Sequence, residues 1–85
     1  MLKRHADEVE SILETLFYQP MVQISKRRLR YFYSMDRLSK NTWRDVFDRL
    51  PSFWPKIEDL YYIDDGDQVT IIRKTDCKDA SELMS

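Results

Sequence analysis

The stretch Leu60–Ile72, LYYIDDGDQVTII, decides how the rest of the chain is read. Two runs of strand-forming residues, Leu60 to Ile63 and Val69 to Ile72, flank Asp64-Asp65-Gly66-Asp67. Asp65-Gly66 is a strong short-range hairpin signal, because a tight turn needs a positive φ that glycine takes without steric cost. Gly66 is the only glycine in the chain. The segment therefore predicts a hairpin whose tip carries Asp64, Asp65 and Asp67. Three like charges on one tip repel each other. Such a tip is usually a solvated turn; the sharper expectation is that it meets a cation, on a basic protein surface or as a metal.

Upstream of that hairpin, Trp43, Val46, Phe47 and Leu50 recur at i, i+3, i+4 and i+7 and predict a helix with one apolar face. Thr42 is its expected N-cap, with Asp45 completing a capping-box spacing. Pro51, Phe53-Trp54 and Pro55 end it. The two tryptophans are expected in the core or as a lid on it. Further upstream, residues 21–35 read as a second hairpin. Val22 and Ile24 point inward, Lys26-Arg27-Arg28 makes the turn, and LRYFYSM returns. Lys26, Arg27, Arg28 and Arg30 then sit together at a basic tip.

Residues 2–18 read as a helix. Leu2, Ala6, Val9, Leu13 and Leu16 recur at spacings of four and three, Ile12 and Phe17 widen the stripe, and Pro20 stops it. Packing on the domain is its expected role, with a helix-mediated dimer as the rival. At the other end, Thr75 or Asp76 caps a last helix through Ala80, Leu83 and Met84. Asp76, Asp79 and Glu82 would continue the acidic face.

The order helix, hairpin, helix, hairpin, helix predicts an α+β fold. It is a small four-stranded sheet, mixed or antiparallel, packed by helices in the order α-β-β-α-β-β-α. Eighty-five residues make one domain, 1–85. A chain this short buries only roughly 60–65% of the surface its unfolded form exposes, so a partner would help its stability. Five Tyr, four Phe and two Trp supply a small core or a sticky surface. A formal net charge of -1 gives no bulk drive toward nucleic acid or membrane. No run is long or apolar enough to span a bilayer and no signal peptide opens the chain, so a soluble cytoplasmic protein is the default expectation.

The hairpin resembles the acidic motif of the Phox-and-Bem interaction domains, on Tyr61, Asp64, Asp65, Gly66, Asp67, Val69 and Ile71, and less closely on Asp76 and Asp79. Asn41-Thr42-Trp43 with Asp45-Val46 resembles the start of the family helix, and Lys26 is the best match for the family's first-strand lysine. The resemblance covers roughly residues 21–84 and implies a ubiquitin-like β-grasp. It also implies docking of a basic face on one molecule against an acidic face on another. The chain departs from the pattern in three places. Ile63 stands where the family has an acid, Arg73 and Lys74 interrupt the second acidic run, and no last strand follows the third helix. The missing strand implies a truncation, a strand supplied by a partner, or a different fold. In the last case, two helix-plus-hairpin units form one antiparallel sheet.

Catalysis is not expected. His5 is the only histidine, Cys77 is the only cysteine and has no base near it in sequence, and a single glycine builds no phosphate loop. The aspartate spacing does not fit a calcium loop. No cofactor and no metal are expected. The function expected is a non-enzymatic protein-protein interaction module, acting by self-association or on another protein. Lys26, Arg27, Arg28 and Arg30 would form its basic face, and Asp64, Asp65, Asp67, Asp76 and Asp79 its acidic face. The alternative is a small regulatory or nucleic-acid-binding protein that uses the basic-aromatic segment 26–33.

Overall fold

A computed structural model describes residues 1–84; Ser85, the last residue of the expected domain, lies outside the described residues. Helix α1 spans Lys3–Glu14 and runs on through a 3-10 turn, Thr15–Phe17. Strand β1 (Met21–Ser25) leads directly into α2 (Lys26–Phe32), and α3 spans Lys40–Phe47. Strands β2 (Leu60–Asp64) and β3 (Gln68–Arg73) form the expected hairpin. The fold is α+β, with one antiparallel sheet of three strands in the order β1-β3-β2.

The expected fourth strand and the hairpin over 21–35 are corrected by this structure. Residues 26–32 are helical. Lys, Arg and Leu are good helix formers, and the Ser25 hydroxyl caps the helix by accepting the Arg28 N–H at 3.3 Å. Leu29 and Phe32 then fall three apart on one buried face. The aromatic run YFY reads as a strand only while the period is taken as two. The helix closes at Ser34 (φ 52), where the Ser34 and Met35 N–H groups bond back to Tyr31 and Arg30.

Two further expectations change. The box that opens α3 lies one turn earlier than expected: Ser39 Oγ accepts the Thr42 N–H, and Thr42 Oγ1 accepts the Ser39 N–H, each at 3.3 Å. Thr42 is thus the third helical residue rather than the cap. The expected last helix reduces to two short, exposed 3-10 turns, Lys74–Asp76 and Ala80–Met84. Leu83 and Met84 touch no core, so nothing rewards a longer helix.

The core sits on one face of the sheet. Val22, Ile24, Val69, Ile71 and Leu60 supply the sheet side, Val9, Leu13 and Leu16 come from the first helix and its 3-10 extension, and Leu29, Phe32 and Val46 come from α2 and α3. The first-helix stripe therefore packs on the domain. Above the core, the Tyr33 hydroxyl donates to Asp45, which also accepts from Arg49, and Arg49 reaches Glu10. Burial and the Asp45 carboxylate together push the Tyr33 phenol up to about 12. No helix among the described residues is long and apolar enough to cross a membrane.

Candidate functional site

The fold brings one member of the basic stretch, Lys26, to the acidic tip. Lys26 Nζ lies 2.6 Å from Asp64 Oδ2, and the Lys26 N–H donates to the Asp67 carbonyl at 3.0 Å. Both contacts follow from register. Strand β1 ends beside the start of β3, so the first residue of α2 sits at the hairpin tip. The Lys26 ammonium holds the Asp64 carboxyl below the usual aspartate range, helped by the Gly66 N–H.

The acidic tip is also built from its own carboxylates. Asp64 Oδ1 accepts the Gly66 N–H at 2.9 Å. Asp65 Oδ1 accepts the Asp67 and Gln68 N–H groups at 2.9 and 2.7 Å. Gly66 has φ 99, as the turn requires. Two of the three tip aspartates thus serve as local turn acceptors, an inexpensive reason for their presence. The side chain of Asp67 has no partner among the described residues.

The other expected site residues divide in the same way. Arg28 makes a forked pair with Glu8, at 2.8 Å to Oε1. Arg73 and Asp76 pair with each other. Asp79 accepts the Ser81 N–H and hydroxyl, which hold its carboxyl below the usual range. Arg27 and Arg30 carry no carboxylate partner among the described residues, and Tyr31 beside them is 68% exposed. Cys77 is an exposed free thiol, and no cluster of candidate metal ligands occurs among the described residues.

A different surface was not anticipated. Among the described residues strand β2 pairs only with β3, so one of its edges is open. The Asp65 N–H donates to the Gln68 carbonyl, which fixes the hydrogen-bond phase of the hairpin. Ile63 and Tyr61 then bond to Thr70 and Ile72, while Tyr62 and Asp64 turn their N–H and C=O groups outward. Tyr61, Tyr62 and Ile63 are 55%, 69% and 58% exposed.

Beside this edge, a groove of about 410 Å³ separates α3 from the sheet. Trp43, Phe47, Tyr62 and Val69 line it, with Lys40 and Arg44 along the α3 side. The Trp43 and Phe47 rings stack 6.1 Å apart at 29°. Lys40 has no carboxylate partner among the described residues, and Arg44 reaches only the Asn41 side-chain oxygen, at 3.5 Å. Asp64 also lines the groove, with its charge already met by Lys26.

One signal in the sequence could have found this surface. A contiguous apolar strand such as Leu60–Ile63 calls for cover on both faces, and it is left exposed where the chain does not supply that cover. No protein-family model, no curated protein and no solved structure matches the chain.

Proposed function

We propose that the chain is a non-enzymatic protein-interaction module whose docking surface is the open edge of β2. The observation that carries this is the exposure of Tyr61, Tyr62 and Ile63 on a strand with unpaired outward backbone groups. Open apolar edges are normally blunted by charge, proline or a cover. Covering the exposed part of each of these side chains would contribute about 1 kcal/mol or more. The interaction class is the one implied by the Phox-and-Bem resemblance, with the docking moved from paired charged faces to a sheet edge. Lys26 and Asp64 hold each other; Arg27, Arg30 and Asp67 are left to steer a complementary partner.

Site-directed photo-crosslinking in the protein's own cells tests the proposal. A benzophenone side chain at Tyr62 should yield discrete higher-mass adducts, and one at exposed Ser11 on α1 should not. Adducts at neither position, or equally at both, would remove the edge assignment.

Nucleic-acid binding is a second reading, supported by Arg27, Arg30 and exposed Tyr31 on one helix. Arg30→Ala should weaken binding of a labelled single-stranded oligonucleotide at low salt. If the wild-type chain gives no anisotropy change, that reading is excluded.

A further inference from the structure

Resting on the interaction reading above, we infer that the groove between α3 and β2 takes an extended acidic peptide as an added strand. The backbone part of the site is fixed by the hairpin's own phase. Tyr62 and Asp64 each present an N–H and a C=O to the open side, two residues apart, as a ladder requires. A strand laid on that edge has side chains at alternate positions facing the groove.

The lining of the groove sets the chemistry of those side chains. Trp43, Phe47, Tyr62 and Val69 form an apolar slot, and about 410 Å³ is room for large aliphatic or aromatic groups. Lys40 and Arg44 lie one helical turn apart on α3 and overlook the slot. Both are exposed cations with no carboxylate to neutralise them among the described residues. The only carboxylate in the lining, Asp64, is engaged by Lys26 and Gly66. An occupant with acidic residues flanking bulky apolar ones therefore matches the charge of the α3 rim. A basic or phosphate-free neutral strand leaves that rim unanswered.

A second copy of the chain is the competing occupant. Two β2 strands could pair about a two-fold axis at Tyr62, placing Tyr61 opposite the partner's Ile63. The carboxylate that such a strand turns to the groove side is the partner's Asp64, whose charge is already met by Lys26. Strand addition of a separate acidic segment accounts for the edge, the slot and the cations together.

The experiment is selection of phage-displayed random dodecapeptides on the full chain, followed by synthesis of the enriched sequence. The expected peptides carry Asp or Glu beside alternating bulky apolar residues. Saturating peptide should slow hydrogen exchange at the Tyr62 and Asp64 amides at least tenfold. Lys40→Glu with Arg44→Glu should weaken binding at least tenfold, while Lys3→Glu on α1 leaves it within twofold; circular dichroism checks that both variants fold. Absence of enrichment, or binding that leaves the Tyr62 and Asp64 amides unchanged, overturns the inference. Edge protection that rises with protein concentration in the absence of peptide assigns the edge to a second copy and also overturns it. If crosslinks form at Tyr62 but the charge-reversed variant binds as wild type, the acidic partner is wrong while the interaction reading stands. If neither crosslinks nor peptides appear, both fall.

Discussion

Strands β1 and β2 are the two edges of one sheet, and each is five residues long. Strand β1 alternates cleanly, with Val22 and Ile24 buried and Met21 and Gln23 exposed. Strand β2 buries only Leu60. The difference does not come from strand propensity, since LYYI is the more strand-like sequence. It comes from the helices. The first helix and α2 pack over β1, and the Tyr33–Asp45–Arg49–Glu10 contacts link the helical layer across its top. Helix α3 stands off β2 and leaves a groove. The β1 side also has a depression, lined by Ile12, Thr15, Gln19 and Met21, but amides and a hydroxyl replace the aromatic slot and the cations. Both edges turn backbone groups outward; what the helices complete on β1 is the burial of its side chains, and β2 lacks that cover.

Two isoleucines give the sharpest way to break that contrast. Ile24 on β1 is 3% exposed, and Ile24→Ala should cost about 2–5 kcal/mol in urea unfolding. Ile63 on β2, cut the same way, should change stability by no more than about 0.5 kcal/mol. An equal loss at Ile63 would mean that β2 is covered in the free protein.

Next in size is the turn that joins β2 to β3. Asp65→Ala removes the acceptor for two backbone N–H groups and should cost about 1 kcal/mol, as loss of a helix cap does. Asp67→Ala removes a side chain with no partner among the described residues and should leave stability unchanged in the same assay.

The remaining tests are titrations, and their signs differ. Asp64 has a folded-state pKa below the ordinary 3.8, with the Lys26 hydrogen bond as the largest cause. Its contribution is present above pH 3.8 and is lost as pH falls through the lowered value. Carboxyl NMR should place the Asp64 midpoint below 3.8, and Lys26→Met should raise it. Tyr33 has the opposite sense. Its pKa is raised from 10.0 to about 12, so its contribution is intact below pH 10 and fades as pH climbs toward 12. Tyr33→Phe should flatten the alkaline arm of the unfolding midpoint against pH. An unchanged arm would detach the polar network from the covered side of the molecule.

Several elements were legible from residue spacing alone. The first helix, the inward set Val22 and Ile24, the apolar face around Val46 and the hairpin turn at Gly66 all stand as expected. These signals are local and periodic. What escaped was the period of KRRLRYF, because Leu29, Phe32 and Tyr33 stand at i, i+3 and i+4 while the adjacent aromatics Tyr31 and Phe32 also suit a strand over so short a run. The pairing of Lys26 with Asp64 escaped for a different reason. It depends on which strands are neighbours, and no local pattern states that. The groove residues Trp43 and Phe47 were recognised as one apolar face, but the sequence carries no mark of the gap between that face and the sheet.

The position of β3 has a kinetic consequence. The central strand is the last of the three in chain order, and it pairs Met21 with Ile72 and Val22 with Ile71 across most of the sequence. A chain emerging from the ribosome can coil its helices early, but its first strand has no neighbour until β3, Gln68–Arg73, is out. Such distant pairing closes a long loop before any sheet contact rewards it, which slows folding relative to a helical bundle of the same size. During that wait β1 is an unprotected edge as well. The nascent chain thus passes through a stage in which both of its apolar strands compete for whatever extended segment is nearest.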